Sequence, residues 1–226
     1  MRELDVALSM LDDEATAADI PRRAVKPVRD VLKLERRTHR RSLEPYLERR
    51  SAAKLRTRIE KVVGRAEQRG YSAARRVDAW RHAGELATAL REMVTLAGRA
   101  YDHERLHHVR IASKKLRYTL EALAALEGRQ TMRGVDTLRD TQTLLGRLGD
   151  LAVLRSRTRD VQMTVGVVDL RRAGELDRLV RHLDAESHRA HAAYLDGVHD
   201  IVAVCERTIR QAARFAGTGV ERGRIA

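Results

Sequence analysis

Aromatic side chains are nearly missing from this chain, seven in 226 residues, and there are only three prolines. Sheet-rich domains draw on aromatic and β-branched residues and on frequent turn formers. Their shortage, with Ala, Leu, Arg and Glu abundant, argues for helices and against strands. The single cysteine, Cys205, has no partner for an intramolecular disulfide. It falls in the apolar row Tyr194, Val198, Ile201, Cys205 and Ile209, whose helical spacing predicts a buried thiol. No apolar run reaches the ~18 residues of a membrane span and no charged-then-apolar leader opens the sequence, so a cytoplasmic location is expected.

Acids are also short relative to bases: 45 Lys and Arg face 32 Asp and Glu, a net charge of +13. The excess is regional. Residues 22 to 61 hold fifteen bases and five acids, net +10, which leaves +3 for everything else. A field of this sign recruits nucleic acid, anionic lipid, phosphorylated metabolites or polyphosphate. A hydrophobic content of 43% is enough to build a sizeable core, so the charge decorates a folded protein rather than a disordered one.

One segment concentrates the charge with an order that a helix makes legible. In residues 106 to 118, Leu-His-His-Val-Arg-Ile-Ala-Ser-Lys-Lys-Leu-Arg-Tyr, the positions His107, Arg110, Lys114 and Arg117 step by three, four and three. On a helix they fall within an arc of about 80° and climb roughly 15 Å. Val109, Leu116, Leu120 and Leu123 occupy a separate arc. Anchoring by that apolar stripe holds the cations out as a ladder suited to an extended polyanion. Glu104 is the one acid between residues 103 and 118, so the usual i,i+4 lacing of a solvated face is missing, and the ladder is expected to lack internal partners. Arg29, Lys33, Arg36 and Arg40 repeat the pattern over roughly 16 Å, beside the mostly apolar row Val28, Leu32, His39 and Leu43, which puts His39 at the edge between core and cleft.

Punctuation along the chain divides it into helices: about Arg2 to Leu11; Pro27 to Leu43, interrupted by Pro45; and Ser51 to Gln68, followed by a turn at Arg69 to Ser72. A helix of about 17 residues carries Leu86, Leu90, Met93, Ala97 and Tyr101 to the core. Asp102 caps the ladder helix, which runs to about Glu127 before Gly128. The next helix, built on Leu138, Leu145 and Leu148, ends in Leu144-Leu-Gly-Arg-Leu-Gly-Asp150, whose glycines permit close approach or a sharp stop. Two further amphipathic helices fill the last fifty residues, and Gly217 to Ala226 reads as a frayed tail.

Residues 106 to 121, Leu-His-x-x-Arg-Ile-x-x-Lys-Lys-Leu-Arg-Tyr-x-Leu-Glu, closely resemble the signature of the CHAD family, the conserved histidine alpha-helical domain. Leu138-x-x-x-Gln-x-x-Leu-Gly-x-Leu-x-Asp150-Leu resembles the family's following motif, and Arg2-Glu-Leu-Asp-Val6 resembles the Arg-Asp-x-Asp-Val of its first half. The resemblance implies an all-helical bundle of two pseudo-repeated halves around a basic central cleft that binds inorganic polyphosphate without catalysis or cofactor. It places a single domain over residues 1–216, with an incomplete first half at 1–101 and a second half at 102–216. Carried over by motif, the binding positions are His107, Arg110, Lys114, Lys115, Arg117 and Tyr118, with Arg29, Lys33, Arg36, His39 and Arg40 lining the same cavity. Association with polyphosphate granules would follow. One element of the family is missing: no first-half copy of the His-x-x-Arg signature appears, and the internal spacing puts its helices about 40 residues upstream of Met1. The abbreviated chain is expected to leave an apolar groove beside the Arg2–Leu11 and Leu86–Tyr101 helices, to be closed by self-association or rearrangement, or filled by residues encoded upstream if Met1 is not the true start.

Other chemistry finds less support. Glu104-x-x-His107 is a single Glu-x-x-His, where a di-iron bundle needs two and further carboxylates. Asp184, His188 and His191 share a helix face without a fourth ligand, so no metal is assigned and a metal-dependent phosphohydrolase ranks low. No phosphate loop, serine elbow or Cys-His pair occurs. Nonspecific nucleic-acid binding at low salt is the stronger rival, though there are few aromatics to stack bases.

Overall fold

The computed structural model describes residues 2–49, 54, 56–58, 60–61 and 73–222. Helices account for nearly all of them: α1 (Arg2–Ala17), α2 (Arg22–Arg49), α3 (Ala73–Ala97), α4 (His103–Leu126), α5 (Val135–Gly166) and α6 (Leu170–Arg222), with no strand among the described residues. The all-helical expectation is met. The expected Ser51–Gln68 helix and the following turn lie outside the described residues, apart from 54, 56–58, 60 and 61, which are helical.

Two compact units organise these helices, one formed by residues 1–70 and 150–187, the other by 71–149 and 188–226. In the first, α1 buries Leu4, Ala7, Leu11 and Ala15, and α2 buries Ala24, Val25, Val28 and Leu32. They share a core with Leu151, Leu154 and Val161 of α5 and Leu176, Leu179 and Leu183 of α6. Among the described residues α1 exposes no large apolar side chain, and Leu96 is the one such residue on the 86–101 segment, so the expected groove beside α1 is not found. The apolar row of α1 is already covered by α2, α5 and α6.

The second unit packs α3 and α4 with the first half of α5 and the second half of α6. Its core runs from Ala83, Ala87, Leu90 and Val94 through Val109, Leu116, Leu120 and Leu123 to Leu138, Leu145, Tyr194, Ile201 and Cys205. On α3 the buried row is rotated from the expected one: Leu86 and Met93 sit at its half-buried edge. Small Ala83 and Ala87 take the centre, where neighbouring helices approach closely.

The ends of α4 follow from local chemistry. Asp102 Oδ1 accepts from the backbone N–H groups of Glu104 and Arg105 at 3.0 and 3.1 Å, satisfying two of the four donors a helix start leaves over. At the other end, Arg129 N–H donates to Ala124 O and Gly128 N–H to Ala125 O, a Schellman closure that needs the φ of +66° found at Gly128.

Several helices outrun the punctuation. Pro27 lies inside α2, which begins at Arg22, and the helix continues through Pro45 to Arg49. A proline forfeits its own N–H bond and crowds the preceding turn, but the flanking hydrogen bonds remain available. α5 passes through Gly146 and Gly149 to Gly166 rather than stopping at Asp150, because the buried series Leu138, Leu145, Leu148 continues as Leu151 and Leu154. Burying two more leucines outweighs the ~1 kcal/mol that each helical glycine costs relative to alanine. Where two helices were expected there is one, α6, whose 53 residues run from Leu170 past Gly217 to Arg222. The described part of the chain contains no helix long and apolar enough to cross a membrane.

Two measurements check this packing. Gly134 has φ +97°, and a Cβ there would come within 2.7 Å of Val204 Cγ2. Gly134→Ala should therefore lower stability by about 2–4 kcal/mol, seen as a drop in the denaturant midpoint without a change in slope. Burial pushes the Cys205 thiol up to about 12. In the native protein it should resist a disulfide reagent at pH 8 and react stoichiometrically once denaturant is added.

Candidate anion-binding surfaces

The ladder of α4 forms as a continuous face. Leu106, Val109, Leu116, Leu120 and Leu123 are buried, and His107, Arg110, Lys114, Lys115 and Tyr118 stand exposed. Arg110, Lys114 and Lys115 have no carboxylate partner among the described residues. Among the described residues, His107 has the ring of neighbouring His108 beside it, at 6.3 Å between centroids. Tyr118 gathers the upper end: Arg117 lies 4.4 Å and Lys114 5.7 Å from its ring centre, within reach of cation–π attraction.

Arg117 departs from the expectation that the ladder lacks internal partners. Its Nη1 donates to Glu121 at 2.8 Å and its Nε to Gln142 on α5 at 3.0 Å, and its side chain is only 15% exposed. Glu121 sits one turn beyond the acid-poor window, and Gln142 comes from another helix. Glu121 is itself shared with Arg139 at 3.3 Å. Arg117 is thus a tethered cation that holds α4 to α5, with its guanidinium carbon over the Tyr118 ring.

The α5 motif supplies the floor under this face. Leu138, Leu145 and Leu148 enter the core, and Gln142 fixes Arg117. A Cβ at Gly146 would lie 3.7 Å from Arg110 Nε, and one at Gly149 would lie 3.9 Å from His103 Cε1. Polar side chains of α4 thus pass beside both glycines, at ordinary contact distance from where a Cβ would stand. The motifs at 106–121 and 138–151 are the two sides of one helix pair.

In the other unit, the cationic face of α2 is partly neutralised. Arg29 is ion-paired with Asp12, Arg36 with Asp5 at 3.1 Å, and Arg40 with Glu44 at 3.6 Å. Asp5, from the opening motif, thus has a visible task. Lys33 and Arg37 have no acid partner among the described residues. Together with Arg36 and Arg40 they line a recess of about 290 Å³. Arg37 belongs to this recess although the four-residue stripe at Arg29, Lys33, Arg36 and Arg40 passes over it. His39 and Leu43 are exposed, so the row that begins Val28, Leu32 is buried only that far, and His39 is a surface residue rather than one at the core's edge.

The histidines considered for metal binding behave otherwise. Asp184 is held by Arg155 and by Arg159 at 3.2 Å. His191 is buried against Tyr101, 5.3 Å between ring centres, and its pKa is lowered by burial and by nearby His188. A different trio converges: Glu14, His182 and Glu186 bring their ligating atoms within 4.8 Å of one another, with His182 Nε2 2.8 Å from Glu14 Oε2. A separation of 168 residues hides that pairing from any reading of local spacing.

Comparison with curated proteins and with solved structures found no match. The family model for the CHAD domain matches residues 1–159, which takes in the opening motif, both cationic stripes and the Gln142–Asp150 segment. With the ladder and its supporting motif placed side by side by the fold, and with that match over most of its length, the chain belongs to the CHAD domain family.

Proposed function

We propose that this protein binds inorganic polyphosphate, without catalysing its turnover, through the cationic faces of α4 and α2. The observation that carries the reading is the row of exposed Arg110, Lys114 and Lys115, left without carboxylate partners beside tethered Arg117. A polymer with about one negative charge per phosphate meets such a row at several points, and guanidinium groups fork onto its oxygens while lysines act as mobile point charges. In this reading His107, Arg110, Lys114, Lys115, Arg117 and Tyr118 form one binding surface and Lys33, Arg36, Arg37 and Arg40 another. His39 and Arg29 are peripheral. The two surfaces would belong to pseudo-repeated halves, with polyphosphate granules as a place of action and self-association as a further property.

Arg110→Glu combined with Lys114→Glu tests the ladder without disturbing Arg117's bonds to α5. Calorimetric affinity for long polyphosphate should fall about tenfold or more while the helix content stays unchanged. Binding equal to the parent's would reduce the ladder to a solvated face.

Chain length gives a second test. Long polyphosphate should bind far more tightly than pyrophosphate at equal phosphate concentration, because one chain satisfies many cations while losing its translational freedom once, and the affinity should weaken with salt. Equal affinity per phosphate, or DNA that displaces polyphosphate at ~150 mM salt, would remove this reading in favour of general anion or nucleic-acid binding.

A further inference from the structure

The second unit holds a pocket of about 330 Å³ that neither cationic stripe enters. Its walls come from α3, α4, the α4–α5 connection and the distal part of α6. Leu120, its one residue on α4, belongs to the buried stripe and lies about 100° around the helix from the middle of the ladder. Five arginines line it: Arg129, Arg133, Arg207, Arg210 and Arg214. No acid does.

Part of that charge is already answered. Arg129 pairs with Glu127 at 3.5 Å and Arg210 with Glu206 at 3.5 Å. Arg133 and Arg207 have no carboxylate partner among the described residues. Beneath the cations the walls turn apolar, with Trp80, Leu120 and Met132 almost wholly buried. Trp80 is fixed there: its Nε1 donates to Glu127 Oε1 at 3.0 Å and its ring stacks on Phe215 at 5.4 Å. Gln211 and the Thr208 hydroxyl oxygen add hydrogen-bonding capacity.

A bare phosphate would use the arginines and leave the apolar wall idle. A hydrocarbon would do the reverse. The combination suits a ligand that is anionic at one end and planar and weakly polar at the other, and the volume falls in the range of small-molecule sites, about 300–1,000 Å³. We propose that this pocket is a further anion site, independent of both cationic stripes, that takes a nucleoside diphosphate or triphosphate. Its base sits against Trp80 and Met132, and its phosphates are forked by Arg133 and Arg207.

The chain reports on its own pocket, because Trp80 is its one tryptophan. ADP titrated into the full-length protein at ~150 mM salt should produce a saturable change in tryptophan emission. Pyrophosphate should bind about tenfold more weakly, since it lacks the part that meets the apolar wall. Arg133→Glu with Arg207→Glu, both on the surface, should weaken ADP about tenfold or more without lowering the melting temperature. The ladder variant Arg110→Glu/Lys114→Glu should leave ADP affinity within about twofold, which separates this site from polyphosphate binding. The proposal fails if calorimetry and emission both detect no ADP binding, if pyrophosphate binds as tightly as ADP, or if the ladder variant loses ADP as fully as the pocket variant.

Discussion

Burial of one apolar stripe on α4 decides where every charge on that helix can go. Leu106, Val109, Leu116, Leu120 and Leu123 are all withdrawn from water, at roughly 1.5–3 kcal/mol for each side chain as large as leucine. Two exposed cations a helical turn apart repel by less than about 1 kcal/mol in water, and salt reduces this further. Packing therefore wins by a wide margin, and the helix accepts a row of like charges on its outer face as the smaller cost. The same balance explains why α5 continues past two glycines.

The parts of the molecule that were legible in the sequence are those set within about one turn of helix. The Asp102 cap, the Gly128 ending, the buried Cys205 and the exposed side of the ladder all follow from near neighbours. What sequence spacing misread depends on distant segments. Arg117 looked unpartnered because Gln142 lies 25 residues away and Glu121 just past the window. Glycines looked like stops at Gly146 and Gly149 because a helical pattern records a missing side chain without recording what fills the space. Here Arg110 and His103 lie beside it. Glu14 and His182 were beyond reach for the same reason.

Neutralisation also divides the two stripes by kind. On α2, Asp12, Asp5 and Glu44 each take up a cation, so a stripe with evenly spaced bases in sequence becomes a localised recess around Lys33 and Arg37. On α4 only the last rung is tied. Equal spacing thus yields unequal surfaces, because the compensating acids come from elsewhere in the fold, and a count of bases overstates the free charge on α2.

α2 remains helical to Arg49, well beyond Leu32, and from Lys33 to Glu44 none of its described side chains is buried. Its backbone there relies on local hydrogen bonds and a few ion pairs, against mutual repulsion among Lys33, Arg36, Arg37, Arg40 and Arg41. A bound polyanion removes that repulsion at the same moment as it gains its own contacts. Under the proposed reading, helix order and anion occupancy would be coupled, so this part of α2 would gain stability whenever such a ligand binds.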